Sequence, residues 1–437
     1  MSRKVLIIAY YWPPAGGGGV QRWVKFVKYL RDFGWEPVVY TAENPDYPLL
    51  DPTLVHDIPS DVEVIRRPIT EPYNLFRTLT GKKKSDKMDP AFLSQGKKLG
   101  WKEHIATWIR GNFFIPDARC LWIKPSVRFL LQYLKKNPVD IIVSTGPPHS
   151  CHLIGLGIKQ KLGLPWLADF RDQWTQIDYF DDLKLTEIAR KKHLRLEKAV
   201  LDKCNAVVTV GPYIGGELGT LTNNRIEVIT NGFDETDRKS IIKISEKRFS
   251  LVYIGTINDA QNPVVLWQAL SALKSENHPM MNDFVLKIVG KADAQILKDI
   301  REFNLDDIVE YIGYVPHAEA IAWQESATVL LLLINQTKNN KAIVTGKLFE
   351  YLASGHPILC IGPEEGDAAQ IIHSVEAGIT VDYNDSDGLV LQLKKWYHAR
   401  MSGNLLLNPA DIRKFSRKEL TKKMAQLLDE ISDKGPS

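Results

Sequence analysis

The chain has few cysteines, no long apolar run and little net charge, and each shortage excludes a class of protein. Its four cysteines, spread over 437 residues without paired spacing, indicate neither a zinc site nor a disulfide framework. No segment reaches the roughly 18 consecutive apolar residues of a membrane-spanning helix. A net charge of +4 is too small to indicate a nucleic-acid partner. We therefore expect a cytoplasmic protein that holds no metal and binds no nucleic acid.

Apolar strands alternate with amphipathic helices along most of the chain. In residues 4–41, Val24, Val27 and Leu30 recur at helical spacing between an apolar strand and Gly34, and a second apolar strand follows. Such repeated units predict parallel sheets, because parallel strands need a crossover that a helix usually supplies. A polar stretch after Asp234 separates two such series, so the sequence predicts an α/β fold with two Rossmann-like parallel-sheet domains.

Four segments of the chain follow from these patterns. We expect a first domain over residues 1–235, in which residues 70–135 fit no clean pattern and form an elaboration on the acceptor side. A linker then covers residues 236–250, and a second domain covers residues 251–412. The remaining residues, 413–437, contain a helical pattern that could pack on the first domain.

The segment Lys341–Cys360 places a cation, a helix start and a carboxylate close together. Thr345 suits the N-cap of a helix whose first turn carries Gly346 and Lys347, so free backbone N–H groups and an ammonium converge. Glu350 follows three residues after Lys347 on the same helical face, and its oxygens suit two vicinal hydroxyls. This pattern predicts a diphosphate site, or else an amphipathic helix whose two charges are merely solvated.

Four successive glycines follow the first predicted strand and precede its helix. They allow the backbone to approach a ligand closely beside a helix N-terminus, which favours an anion or a sugar hydroxyl. A dinucleotide fingerprint is a weaker alternative, because Gln21 occupies the position of its third glycine, although Glu43 could bind a ribose. A flexible turn is the remaining alternative. The glycines are Gly16, Gly17, Gly18 and Gly19.

Polar side chains also follow two later predicted strands, where open α/β sheets bind ligands. His149 comes at the start of a helix, where it either contacts a ligand or serves as a cap. Asp169, Arg171 and Asp172 follow the next strand. They either neutralise one another as a structural network, or the carboxylates bind acceptor hydroxyls while Arg171 holds a phosphate.

Four motifs give the chain a resemblance to a known family. The run Gly346–Ile358 resembles the donor-site motif of the retaining family 4 glycosyltransferases, and Ile229–Asp234 resembles their asparagine-glycine turn. Leu251–Gly255 is similar to their first C-terminal strand, and Tyr311–Val315 to the strand end that meets the nucleotide base. The resemblance implies the GT-B fold, in which two Rossmann-like domains face a central cleft, and it covers most of the chain.

The resemblance also implies roles for individual residues. His149 would orient the transferred sugar, Lys347 would stabilise the departing diphosphate and Glu350 would anchor the ribose, so these three form the predicted catalytic set. The glycine loop with Asp169, Arg171 and Asp172 would contact the acceptor or a phosphate. The predicted donor-binding residues are Gly255, Thr256, Gly313, Tyr314, Val315, Lys341, Thr345, Gly346, Lys347, Leu348 and Glu350.

The chain departs from the family pattern at three positions. Ala342 stands where the family has its first glutamate, and Thr256 and Gln261 stand where it has two phosphate-binding cations. Lys341 and Lys347, together with Arg119 or Arg171, could supply the missing charge, because a diphosphate needs cations or N–H donors and not particular positions.

The leading hypothesis is a retaining transferase, without a cofactor, that moves a hexose-type sugar from a nucleoside diphosphate sugar to a hydroxyl acceptor. A glycan, glycolipid or lipid-linked saccharide of surface polysaccharide synthesis is the expected acceptor. The three departures motivate a second hypothesis, a nucleotide-sugar-binding protein without turnover, and an NAD-dependent enzyme is a third. The aromatic and basic segment 101–124 suggests peripheral contact with the inner membrane face, although buried packing explains its aromatics equally well.

Overall fold

The computed structural model describes residues 2–47, 49–71, 101–238, 242–405 and 411–433. The chain divides into two compact units, Met1–Thr230 with Arg417–Ser437, and Asn231–Ser416. Parts of four sequence predictions lie outside the described residues: 72–100 of the elaboration, 239–241 of the linker, 406–410 of the second domain and 434–437 of the C-terminal segment. Within the described ranges, no helix is long and apolar enough to cross a bilayer.

The first unit contains a seven-stranded parallel sheet in the order β3-β2-β1-β4-β5-β6-β7. Helices cover the sheet, and the last helix of the chain, α13, packs with α1 through Leu420, Met424 and Leu428. The strands are β1 (Arg3–Ile8), β2 (Trp35–Ala42), β3 (Glu63–Arg67), β4 (Ile141–Gly146), β5 (Trp166–Phe170), β6 (Ala206–Thr209) and β7 (Ile226–Val228). The helices are α1 (Gly18–Leu30), α2 (Trp101–Phe113), α3 (Cys120–Lys136), α4 (Ser150–Leu162), α5 (Glu187–Lys203), α6 (Pro212–Gly219) and α13 (Arg417–Asp433).

The second unit contains a six-stranded parallel sheet in the order β10-β9-β8-β11-β12-β13. Its two apolar clusters include Leu251 and Ile288 in one and Val252 and Leu330 in the other, as expected for strands buried on both faces. The strands are β8 (Phe249–Ile257), β9 (Phe284–Ala292), β10 (Val309–Tyr311), β11 (Val329–Leu333), β12 (Ile358–Ile361) and β13 (Gly378–Val381). The helices are α7 (Val264–Ser275), α8 (Ala294–Glu302), α9 (His317–Ser326), α10 (Gly346–Ser354), α11 (Asp367–Ser374) and α12 (Ser386–Met401).

The predicted α/β class with two parallel-sheet domains is confirmed, and four details differ from the sequence prediction. The second unit begins earlier than residue 251, because Phe233 is buried in its core and donates its backbone N–H to Phe415 O. Strand β8 likewise begins inside the predicted linker, at Phe249. Strands β3, β7 and β13 were not predicted, and the unpatterned elaboration contains the regular helices α2 and α3.

A buried ion pair joins the first helix to the centre of the first sheet. The Arg22 Nη2 to Asp169 Oδ1 distance is 3.0 Å, and both side chains are fully buried. Trp23 Nε1 and Thr145 Oγ1 also donate to the Asp169 carboxylate, at 2.6 and 2.9 Å, and Arg22 Nη1 donates to Thr230 O at 2.9 Å. The predicted acceptor role of Asp169 is therefore wrong, because its oxygens are shielded from any ligand and engaged within the core.

This pair generates a stability prediction. The Arg22→Ala variant leaves the Asp169 carboxylate buried without its cation, which typically costs about 3–5 kcal/mol. The free energy of unfolding, measured by chemical denaturation, should fall by that amount. The matched control is Arg31→Ala, because Arg31 pairs with Glu36 and Asp61 at a partly exposed position, where a salt bridge contributes about 0–1 kcal/mol.

A double variant separates the buried charge from the lost packing. Arg22→Met with Asp169→Asn removes both charges while keeping side-chain volume, so it should be more stable than Arg22→Ala. Equal destabilisation by Arg22→Ala and Arg31→Ala would contradict the assignment.

Candidate functional site

Both sheets have a topological switch point, where neighbouring strands lead to connections on opposite sides. In the first unit it lies between β1 and β4, and in the second between β8 and β11. Loops that leave the carboxyl ends of such strands diverge and form the usual ligand-binding crevice of an open α/β sheet. The predicted site residues of each unit gather at or beside these two places.

Lys347 of α10 lies against the carboxyl end of β8. Its Nζ is 2.9 Å from Tyr253 Oη and 4.5 Å from the centroid of the Tyr253 ring. Burial raises the pKa of the Tyr253 phenol, so the phenol stays protonated and donates to Thr256 O at 2.9 Å while it accepts from Lys347. A Cβ at Gly255 would lie 2.6 Å from Lys347 Nζ. Glycine at this position therefore leaves the space that the ammonium occupies.

The Lys347 ammonium is only partly compensated by its surroundings. Burial lowers the pKa of Lys347 to about 8, and the Glu350 carboxylate opposes the effect only in part. An amine in this state gains more from a nearby anion than a solvated lysine does, because part of its hydration is already lost. Lys347 is thus a cation that an additional negative charge nearby would stabilise.

Unsatisfied donors also lie at the start of α10, the helix that carries Lys347. The backbone N–H groups of Gly346 and Lys347 have no acceptor among the described residues. Thr345 occupies the N-cap position, but its side chain makes no cap hydrogen bond, and its buried Oγ1 likewise has no partner in the described part of the chain. Two N–H groups, a hydroxyl and an ammonium together form a suitable site for a phosphate group.

Glu350 lies one helical turn after Lys347 and is held by two side chains of α9. Gln324 Nε2 donates to Glu350 Oε2 at 3.1 Å, and His317 Nε2 lies 3.6 Å from Glu350 Oε1. Burial alone would raise the pKa of Glu350, but the contacts with His317 and Gln324 and the Lys347 charge outweigh it, so the pKa is lowered. Glu350 is thus an ionised, oriented acceptor whose side chain remains about one third exposed, at 34%.

The loop between β10 and α9 adds the predicted base-binding residues. Gly313 has φ +79°, which an L side chain rarely adopts. Tyr314 is 81% exposed, whereas Val315 packs against the core of the second unit. The loop leads directly into α9, so the same segment presents Gly313 and holds Glu350 through His317 and Gln324.

Two predicted donor contacts are not supported by the structure. Leu348 is fully buried, and its backbone N–H donates to Thr345 O at 3.2 Å, so neither its side chain nor its amide is available. Lys341 Nζ lies 2.5 Å from the exposed carboxylate of Glu365, so its charge is directed at a surface partner in this structure. Gln261, at one departure position, turns its amide towards Leu333 O at 3.4 Å.

In the first unit, the Arg171 side chain lies between the glycine loop and the loop after β4 and contacts both. Its Nε and Nη2 donate to Gly146 O at 3.2 Å and Pro147 O at 2.5 Å. A Cβ at Gly19 would lie 1.5 Å from Arg171 Nη1, and Gly17 has φ +102°. Close packing and backbone conformation therefore explain two of the four glycines without a dinucleotide. Asp172, exposed just after β5, keeps its predicted acceptor role as a prediction.

His149 lies at the N-cap position of α4 but does not act as a cap. Asp117 does so instead, accepting from Ser150 N at 2.9 Å and Ser150 Oγ at 2.7 Å. The His149 ring stacks on Trp174 with centroids 4.7 Å apart. Burial lowers the pKa of His149 to about 4, so the imidazole is neutral at pH 7, and its buried Nδ1 has no partner in the described ranges.

His149 is part of the wall of a pocket within the first unit. Helix α2, the residues before α3 and the loop before α5 form its other walls, and Arg110 is a cation in it without an ion pair to any described residue. Arg119, proposed as a phosphate cation, is instead buried and paired with Glu71 at 3.0 Å. The lining includes Tyr11, Arg110, Phe114, Asp117, Pro148, His149, Trp174, Ile177, Tyr179, Phe180 and His193.

Sequence reasoning missed several residues of both sites. Gln324, His317 and Tyr253 reach α10 from other elements, and nothing local marks them. The helical spacing of His317 and Gln324 puts them on one face of α9, but their common target could be identified only once α9 and α10 were known to be neighbours.

Comparisons with known proteins identify the family. A family model described as "Glycosyl transferases group 1" matches residues 234–418, and one described as "Glycosyltransferase Family 4" matches residues 86–237. The two adjoining matches span residues 86–418. A search of curated proteins finds no match.

Solved structures resemble the chain over nearly its full length. Sucrose-phosphate synthase from Thermosynechococcus elongatus has a TM-score of 0.60 at 16% identity and covers 99% of this chain and 100% of its own. HepE from Anabaena, solved with UDP-glucose, has a TM-score of 0.58 at 13% identity, with 98% and 99% covered. The lipopolysaccharide outer core galactosyltransferase WaaB gives the same values. At such identities the likeness shows the fold alone, while the family models carry the assignment.

The resemblance read from the sequence motifs is thereby confirmed: this chain belongs to glycosyltransferase family 4 and has the GT-B fold.

Proposed function

We propose that the protein transfers a sugar from a nucleoside diphosphate sugar, bound by the second unit, to a hydroxyl acceptor bound by the first. The observation that carries this proposal is the start of α10, where Lys347 and two free backbone N–H groups adjoin the unpartnered hydroxyl of Thr345. Departure of a diphosphate concentrates negative charge, and prearranged donors stabilise that charge in the transition state. HepE, which shares the fold, was solved with UDP-glucose.

The remaining donor contacts follow from the same geometry. Glu350, ionised and held by Gln324, binds the ribose hydroxyls, and the backbone around Gly313 receives the base. The neutral His149, in the wall of the pocket of the first unit, contacts a hydroxyl of the transferred sugar. No cofactor is required in this scheme.

The acceptor binds in the pocket of the first unit. Its aromatic side chains offer flat apolar faces for sugar rings, and Arg110 offers a cation for an acidic group on the acceptor. An acceptor of surface polysaccharide synthesis, either a glycan or a lipid-linked saccharide, has this combination of rings and charge.

We further propose that the reaction retains the anomeric configuration, with the acceptor attacking from the face that the diphosphate leaves. Family membership supports this course. Asp169, a buried carboxylate within β5, is engaged by Arg22 and cannot serve as a protein nucleophile. Incubation with a panel of nucleotide sugars, followed by mass spectrometry and NMR of the product anomer, tests the proposal. An inverted product would contradict retention, and binding without sugar transfer or release would favour the non-catalytic alternative.

The first kinetic prediction concerns the donor site. Lys347→Ala removes the ammonium that faces the departing diphosphate. The loss of transition-state stabilisation should be about 2–4 kcal/mol, so kcat/KM for the donor should fall roughly 30- to 1,000-fold. Glu350→Ala should weaken donor binding to a similar degree. Steady-state kinetics and calorimetric titration of the nucleoside diphosphate measure the two effects.

The control for this prediction is Lys395→Ala, because Lys395 is an exposed lysine on α12, outside the loops that leave the carboxyl ends of β8 and β11. Its kinetics should match those of the unmodified protein. Unchanged kinetics in both Lys347→Ala and Glu350→Ala would remove the donor-site assignment.

The second kinetic prediction concerns pH. The pKa of Lys347 is lowered to about 8 by burial, so the fraction carrying the ammonium falls as pH rises through that value. A bound diphosphate favours the charged form, and donor affinity should therefore be highest below pH 8 and decline above it. Titration of the nucleoside diphosphate across this range measures the effect, and Lys347→Met, which cannot titrate, should flatten the decline. An unchanged decline in that variant would assign the pH dependence to another group.

A further inference from the structure

Exposed apolar side chains lie on one part of the first unit, on α2, α3 and α5. Phe113 is 67% exposed and Ile188 82% exposed, and Trp108 contacts Phe113 edge-on with ring centroids 5.9 Å apart. Single exposed apolar residues are ordinary, but a group of large ones commonly marks a binding surface. The group consists of Ile105, Trp108, Phe113, Leu121, Ile188 and Leu194.

Hydrogen bonds hold the end of α2 against the segment that precedes α5. Asn112 Oδ1 accepts from Thr186 N at 2.7 Å and from Thr186 Oγ1 at 2.9 Å. A Cβ at Gly111 would lie 2.8 Å from Leu185 Cδ2, so the backbones approach closely there. Because Thr186 is the N-cap of α5, the first turn of that helix, with Ile188, is placed beside the end of α2.

Cations without counter-charges accompany this apolar group. Lys191, Lys192 and Arg195 are exposed on α5 and form no ion pair with any residue in the described ranges. Burial raises the pKa of Cys120, and the charge of Lys192 opposes that rise, so Lys192 lies near the start of α3, next to Leu121. The apolar and cationic side chains of these three helices thus share one surface.

Among the described residues, carboxylates offset only part of this charge. Asp181 is paired with Arg190 at 2.5 Å, and the other acidic neighbours, Asp182 and Glu187, lie exposed before and at the start of α5. We define the apolar–basic surface by Ile105, Trp108, Phe113, Leu121, Ile188, Leu194, Lys184, Lys191, Lys192 and Arg195.

Only part of the membrane segment suggested by the sequence reaches this surface. Within residues 101–124, Trp122 and Arg119 are buried and Phe114 lines the pocket, so they cannot contact a membrane. The basic residues come instead from α5, which the sequence interpretation did not include.

We propose that the apolar–basic surface docks the protein on a bilayer of anionic phospholipids. Such a surface provides both attractions that hold a protein at a membrane interface, since aromatic and aliphatic side chains enter the headgroup boundary while cations meet the lipid phosphates. Charge complementarity selects this occupant over a neutral protein partner or a second copy, because the surface would repel itself across a two-fold axis.

Vesicle flotation tests this proposal directly and does not depend on any enzymatic activity. The purified full-length chain should float with vesicles of phosphatidylcholine and phosphatidylglycerol, and much less with phosphatidylcholine alone. Higher salt should weaken binding, because it screens the cations. Equal binding to neutral and anionic vesicles, or no flotation with either, would overturn the proposal.

Two pairs of variants, each with a matched control, assign the binding to this surface. Charge reversal in Lys191→Glu with Arg195→Glu should weaken binding to anionic vesicles at least tenfold, because each cation removed lowers the affinity about fivefold. Its control is Lys422→Glu with Lys423→Glu on α13, two exposed lysines away from the surface. Full binding by the Lys191 and Arg195 variant would overturn the proposal.

The apolar contribution is tested by Phe113→Ser with Ile188→Ser, which should weaken binding about tenfold. Its control is Leu391→Ser, because Leu391 is 70% exposed in the second unit. Circular dichroism and thermal unfolding should show each variant folded as the unmodified chain is. Loss of concentration-dependent self-association in these variants, with vesicle binding retained, would assign the surface to a second copy and overturn the proposal.

Discussion

The chemistry of this protein depends on the divergence of chain connections at the middle of each parallel sheet. Strands β1 and β4 are hydrogen-bonded neighbours, as are β8 and β11, but the connections that leave each pair lead to opposite sides. The glycine loop and the loop before His149 part at the first of these places, and Gly255 meets Lys347 at the second. Backbone topology therefore positions the ligand-facing loops before any side chain is considered.

Arg22 and Lys347 both lose hydration on burial, but their surroundings compensate the two charges to different degrees. Arg22 is fully buried and fully paired, with a carboxylate and a backbone carbonyl, so its charge stabilises the fold and is unavailable to a ligand. Lys347 is less buried and meets only a phenol and a partial contribution from Glu350. Its charge is therefore incompletely compensated, and under the proposed function a bound diphosphate would complete that compensation.

Features that depend on residues close together in the sequence could be predicted, whereas contacts between distant residues could not. The α/β class, helix α10 and the shared face of Lys347 and Glu350 arise from periodicity within a few residues, and the structure agrees with them. The ion-pair partner of Asp169 could not be predicted from the sequence, because Arg22 lies 147 positions away and no sequence pattern links the two residues. Leu348 was predicted as a donor contact for a different reason. The predicted helix start was right, but the Leu348 N–H, the third of the helix, donates to Thr345 O and is not available to a ligand.

The departures from the family pattern are understandable as a redistribution of positive charge. With Thr256 and Gln261 in place of cations, and Lys341 engaged by Glu365, Lys347 is the cation that meets the start of α10. A single ammonium is sufficient only if other donors assist, and the free N–H groups of the helix together with the Thr345 hydroxyl are such donors. These donors carry no net charge, so under the proposed function they would stabilise a departing diphosphate while leaving the empty site less positive than three cations would. A site of this kind should hold a nucleoside diphosphate product less tightly than a fully cationic one, because release requires breaking fewer charge-assisted contacts.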